Sequence, residues 1–252
     1  MLKNTSFARI VFFSTLLGVA SYAGSLAVFL LNSIGLDTTV RDALFIAGAR
    51  PGLFGIAYLL QGMAFLLWAL VPISVGQRYR EHAPGFSQLA AIAGSFGFIW
   101  RAVAEFAKAG SMEFLGQVYR IGDPTLQLFA EQLATWTQLW TFGAIWELVG
   151  NGFALGVFTA IAGLLFVAAG RSSLGGITTF VGSVIAISWI GTAVYYLLGL
   201  RAGLQWIGAP GYATLVIAPV WLAWIAWYVQ RAPQDRGVPA AKSGEAVPEM
   251  AA

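Results

Sequence analysis

The sequence predicts an all-α fold, a polytopic transmembrane helical bundle of six spans. Composition is the first observation behind this class: 58% of residues are hydrophobic and 10% charged, with a mean hydropathy of +0.75, against roughly 25% charged in a soluble domain. Run length is the second, because the apolar residues gather into stretches near the ~20 needed to cross a bilayer. The third is the lack of period-two alternation in those stretches. Lipid offers no partner for backbone polar groups, so a span that is not a barrel strand must be a helix.

The first span, residues 10–32, follows Lys3 and Arg9. Ser21-Tyr22-Ala23 resembles a leader-cleavage site, but the apolar run continues through SLAVFLL to a length that suits a retained span. The second span, 53–75, contains Pro72, and the sixth, 211–230, contains Pro219. Each proline removes a backbone donor and is expected to kink its helix. The third span covers 86–108, the fourth 141–169 and the fifth 177–200. GRSSLGG, joining the fourth and fifth, lacks a P-loop lysine and follows no strand, so it reads as a tight turn. Residues 10–108 and 141–230 show no residue-level repeat, although two groups of three spans would have inverted topology.

Residues 1–230 thus form one membrane domain, and the segment 231–252, rich in Pro, Ala and charge, is expected to be a disordered tail. The connection between spans three and four looks structured. Asp123-Pro124 supplies an N-cap and a proline at the first helical position, and Leu126, Phe129, Leu133 and Trp136 recur at helical spacing. This predicts an amphipathic helix in the outer loop, with Trp136 and Trp140 at headgroup depth. The outer assignment comes from charge. With the N-terminus inside, Lys3, Arg9, Arg78, Arg80, Arg171, Arg231, Arg236 and Lys242 are cytoplasmic, whereas Arg41, Arg50, Lys108, Arg120 and Arg201 are outside. Both termini are therefore expected in the cytoplasm.

Span three holds the main chemical clue, GFIWRAVAEFAKAG. Gly94, Gly97, Arg101, Glu105 and Lys108 fall in one stripe at steps of three and four residues. Small residues admit another helix closely and buried charges must face protein, so the stripe is expected to point inward. Depth counting places Gln61 of span two and Glu147 of span four near Arg101, with Asn151 one turn deeper. The candidate polar cluster is Gln61, Arg101, Glu105, Glu147 and Asn151. It can act as an internal lock, in which Arg101 pairs with a glutamate, or as a solute or proton site in which two carboxylates share a proton.

Other classes find little support. Cysteine is absent and His82 is the single histidine, which removes disulfides, thiolate metal sites, paired-histidine zinc or haem sites and the usual serine–histidine hydrolases. His82 lies in QRYREHAPGF and reads as a solvated loop residue. The ten tryptophans, with Trp221, Trp224, Trp227 and Tyr228 near the end of span six, read as packing and interface residues, so no cofactor is expected. A net charge of +3 without a basic stripe gives no nucleic-acid footprint. No HExxH motif is present and no aspartate falls within the six spans, leaving an enzyme nothing to work with beyond the polar cluster.

One resemblance adds to this reading. The stretch ARPGLFGIAYLLQGMAFLLWALVPISVGQRYREHAPGFSQLAAIAGSFGFIWRAVAEFAKAG combines an apolar span, a short basic turn and a span bearing Arg101; GLLFVAAGRSSLGGITTFVGSVIAISWIGTAVYYLLG ends one span at Arg-Ser and begins the next. In this order of features the chain resembles the bacterial six-span integral-membrane family of domain of unknown function 4386. The resemblance implies a helical bundle in the bacterial cytoplasmic membrane, with no established activity and no catalytic residue to transfer. The functional expectation is a non-enzymatic accessory or scaffold subunit, or a small sensor, contacting lipid and a membrane-protein partner or a second copy of itself. The alternative is a small transporter, for a compact solute or coupled to protons, built on the Arg/Glu cluster.

Overall fold

A computed structural model describes residues 4–32, 39–135, 148–197 and 205–231. The described residues are helical, and no strand occurs among them. In chain order the helices are α1 (Asn4–Leu31), α2 (Val40–Ala49), α3 (Leu53–Trp68), α4 (Leu70–Tyr79), α5 (Pro84–Ile121), α6 (Pro124–Thr135), α7 (Leu148–Ala168), α8 (Ser172–Leu197) and α9 (Gln205–Arg231). Among the described residues, five stretches are long and apolar enough to cross a membrane: Ser6–Leu31, Leu53–Tyr79, Pro84–Ile121, Leu148–Ala168 and Ser172–Val194. The expected tail, from residue 232 onward, and Trp136 and Trp140 lie outside the described residues.

The break between α3 and α4 falls at Ala69, one turn before Pro72. Proline has no N–H for the carbonyl four residues back and its ring crowds that carbonyl, so the helix is interrupted just upstream. Ser95 Oγ donates to the Ala69 carbonyl at 2.8 Å, and Gly94 provides the room that Pro72 occupies, since a Cβ there would lie 2.5 Å from the proline ring. Pro219 behaves differently: α9 keeps helical backbone through it.

α7 and α8 are joined by the expected tight turn. Gly170, at φ +78°, ends α7, and Arg171 N–H bonds back to Phe166 C=O at 2.8 Å, the pattern of a left-handed glycine C-cap. The two helices then run antiparallel at backbone contact. A Cβ on Gly156 would meet Ala186 at 2.4 Å, and one on Gly163 would meet Thr179 at 2.4 Å. Close approach of this kind is what small residues permit between helices that gain no hydrophobic drive from lipid.

α5 departs most from expectation. The sequence ends the third span at 108 and treats 111–140 as a connection, yet α5 runs for 38 residues, about 57 Å. Its buried face simply continues: Met112, Leu115 and Gly116 pack where the charged stripe leaves off. Gly116 meets α2, a helix the sequence reading did not anticipate, so closely that a Cβ would lie 2.6 Å from Ala47 Cβ. The missed signal for α2 was its cap. Thr39 Oγ1 accepts from Asp42 N–H at 3.2 Å and donates to the Asp42 carboxylate at 2.6 Å.

α2, α6 and the last third of α5 build a second tier on the bundle. α6 begins as expected, with Asp123 Oδ1 accepting from Thr125 and Leu126 N–H at 2.9 Å each. The tier has its own apolar core of Leu44, Ala47, Phe54, Met112, Leu115, Ala130 and Ala134. The larger core, around Phe65, Trp68, Phe98, Phe158, Phe166 and Trp189, fills the bundle below.

Candidate functional site

The charged stripe of α5 lies between these two cores. Arg101 forms an ion pair with Glu105 one turn away, and Lys108 Nζ stands 4.0 Å from the other Glu105 oxygen. The Arg101, Glu105 and Lys108 side chains are 5%, 0% and 12% exposed, so the ladder is inside protein, as the small-then-charged stripe predicts.

α3 supplies the opposing face. Arg101 lies over the Phe65 ring at 5.1 Å and Lys108 over the Tyr58 ring at 5.7 Å. Phe65 and Tyr58 are two helical turns apart, as are Arg101 and Lys108, so the contacts fix an antiparallel register between α3 and α5. That register puts Gln61, between the two rings, at the level of Glu105. Aromatic faces attract cations, and more strongly where water is excluded, so Tyr58 and Phe65 stabilise the ladder while packing against it. Gly62 on the same face leaves room for Phe106, where a Cβ would lie 2.5 Å from the ring.

Of the five sequence-predicted residues, the structure joins Arg101 and Glu105 directly. Gln61 is half-buried and lies beside the Tyr22 side chain of α1, which is within electrostatic reach of both Arg101 and Glu105. Glu147 lies outside the described residues. Asn151 is fully buried, and neither side-chain Oδ1 nor Nδ2 has a hydrogen-bond partner among the described residues. It shares the interior stripe of α7 with Leu155 and Phe158. The next residues, Gly152–Val157, form a π-helical segment, a distortion frequent at functional sites. α7 meets α5 here: a Cβ on Gly97 would sit 2.3 Å from Ala154 N, and one on Gly150 would sit 3.4 Å from Arg101 N.

Lys108 belongs to the ladder although the cluster drawn from sequence omitted it. Depth counting started from a span end at 108 and assigned Lys108 to the surface; the continuation of α5 and the tier above it bury that level instead. Tyr22, Tyr58 and Phe65 were also missed, since aromatic residues on apolar helices carry no signal that separates them from ordinary packing.

Further along α5, Glu113 and Arg120 hold the α2–α3 corner. Glu113 accepts from Gly52 N–H at 2.8 Å and Gly55 N–H at 2.9 Å, and Arg120 Nη1 donates to Gly48 C=O at 3.0 Å. A carboxylate thus meets the positive end of one helix and a guanidinium the negative end of another. Arg41 of α2 pairs with Glu131 of α6 at 2.8 Å. This bond and the Arg41 charge hold the Glu131 carboxyl below the usual carboxylate range, and the same bond with the Glu131 carboxylate charge pushes the Arg41 guanidinium up.

Chemically, the ladder sets one carboxylate between two cations and packs closely on the α3 rings, which suits a lock between α3 and α5. Asn151 is a buried polar group in this region without a hydrogen-bond partner among the described residues. No family model matches the chain, and no curated protein or solved structure matches it either.

Proposed function

We propose that the chain is a non-enzymatic, six-span protein of the bacterial cytoplasmic membrane, serving as an accessory or scaffold subunit or as a small sensor. In this reading α9 is the sixth span, both termini are cytoplasmic, and α2 and α6 lie in an amphipathic tier on the outer face. The likeness to the family of domain of unknown function 4386 belongs to the same proposal. The supporting observation is the Arg101–Glu105–Lys108 ladder, buried and packed on Phe65 and Tyr58 of α3. Its charged groups pair with one another along α5 and lie against two aromatic rings of α3.

The test is the native mass of the protein extracted gently from its membrane, with identification of what travels with it. A reproducible membrane-protein partner supports the subunit reading; a lone monomer or homo-oligomer counts against it. Topology is checked separately. Because the chain has no cysteine, a single cysteine placed at residue 2, 123 or 240 reports its own side by labelling with an impermeant maleimide, and label at 123 alone from outside is the expected pattern.

A transporter reading is favoured by one observation, the buried and unpartnered Asn151 beside a π-helical segment. It requires Glu105→Gln or Glu147→Gln to fold normally and lose flux or its pH dependence. Wild-type flux in both variants rules it out.

A further inference from the structure

At the end of the bundle that carries the Gly170 turn, the start of α1 and the end of α9 enclose a groove of about 430 Å³ lined by Arg9, Phe12, Trp227, Gln230 and Arg231. Arg9 and Arg231 come from opposite ends of the sequence and are both exposed. No acidic residue lines the groove among the described residues. The Arg231 guanidinium lies 4.9 Å over the Trp227 ring, which holds it at the rim beside a partly exposed indole. At the same end of the bundle Tyr79 packs on Phe166, which packs on Tyr228 of α9, and Arg78 and Arg171 lie within electrostatic reach of Tyr79.

Directly below the groove the surface is apolar on both helices. On α1, Ile10, Phe13 and Leu17 are 57%, 64% and 58% exposed; on α9, Val220, two turns from Trp227, is 71% exposed. A free anion would use the arginines alone and make no use of these faces. A molecule with a phosphate at one end and hydrocarbon at the other uses both. Arginine matches phosphate oxygens through paired N–H donors, and tryptophan favours headgroup depth.

We infer that this groove binds the headgroup phosphate of an anionic glycerophospholipid, with the acyl chains lying along α1 and α9. The site is independent of the Arg101 ladder and of the scaffold reading. It gives the chain a preference among lipids, set by two arginines that only the folded bundle brings together.

The experiment is native mass spectrometry of the full-length protein released from mixed micelles containing phosphatidylglycerol and phosphatidylcholine in equal amounts. Wild type is expected to retain phosphatidylglycerol in preference to phosphatidylcholine. Arg9→Gln/Arg231→Gln is expected to weaken that retention about thirtyfold, from the contribution of each basic residue near an anionic surface. Arg9→Lys/Arg231→Lys is expected to recover part of it. Equal retention of the two lipids by wild type overturns the inference, and that result does not depend on the variants folding. Undiminished phosphatidylglycerol retention in a folded double Gln variant overturns it as well. Displacement of the lipid by an excess of inorganic phosphate would show a free-anion site and equally overturn the lipid assignment.

Discussion

Glu113 of α5 accepts a hydrogen bond from the backbone N–H of Gly52 at 2.8 Å, and its second oxygen accepts from Gly55. Gly52 adopts φ +89°, and α3 has no side-chain cap of its own. A carboxylate borrowed from another helix therefore satisfies the orphan donors at the start of α3 and fixes the corner between α2 and α3. Replacing Glu113 with Ala is expected to cost about 1–2 kcal/mol, the usual value of a helix cap. Thermal unfolding measures the loss, and amide exchange locates it: Gly52 and Gly55 should exchange faster while α8 keeps its protection.

Arg101→Ala is expected to be far more damaging, about 3–5 kcal/mol, because it leaves Glu105 as a fully buried charge deprived of its main partner. Membrane abundance and thermal stability should both fall. Arg101→Met combined with Glu105→Leu and Lys108→Met removes the whole ladder together and should recover much of the loss. If Arg101→Ala keeps full stability yet loses a cellular phenotype, the lock account fails.

Two glycines of α5 should respond in opposite directions to alanine. At Gly97 a Cβ would lie 2.3 Å from Ala154 N, so the backbones of α5 and α7 must separate, at a cost of about 1–3 kcal/mol. At Gly110 a Cβ meets nothing within 4 Å, and Gly110→Ala is expected to gain up to about 1 kcal/mol from helix propensity. Melting temperatures of the two variants, measured in one detergent, test the placement of this interface.

Asn151→Leu should raise the melting temperature, because a buried amide without partners is worse than an apolar group of similar size. A fall in stability would instead show that Asn151 is hydrogen-bonded in the membrane, by water or by a solute, and would favour the transporter reading.

The second tier is expected to loosen in acid. Glu131 has a lowered folded-state pKa because Arg41 bonds and attracts its ionised form. Its contribution is complete above the unfolded carboxyl range, near ~4.3, and disappears as pH falls through the lower folded value. Arg41 is exposed, so solvent and salt screen the pair and its effect should be smaller than that of Glu113. Amide exchange in α6 at pH 7 and pH 3, for wild type and Arg41→Ala, measures it: the variant should lack most of the acid-dependent change.

Several features were legible from residue order. Long apolar runs in a chain with few charges specify spanning helices whatever their neighbours, because lipid cannot satisfy the backbone. Steps of three and four put Gly94, Gly97, Arg101, Glu105 and Lys108 on one inward face, and Asp123-Pro124 marked the start of α6. These are local consequences of helical geometry. Where α5 ends is not local. Hydropathy declines after Lys108, but Met112, Leu115 and Gly116 keep the helix going because α2 and α6 lie there to be packed against.

Residue order alone specifies a bundle of apolar helices with a buried charged stripe, since helical periodicity and the cost of desolvating charge act within a single segment. How the helices assemble sets the partners: Phe65 over Arg101, Tyr58 over Lys108, Glu113 on the start of α3, and Arg9 in one groove with Arg231. Those partners lie between about 36 and 222 residues apart in the chain, and their pairing follows from which glycine and alanine faces let two backbones approach. Periodicity within one helix carries no information about that choice.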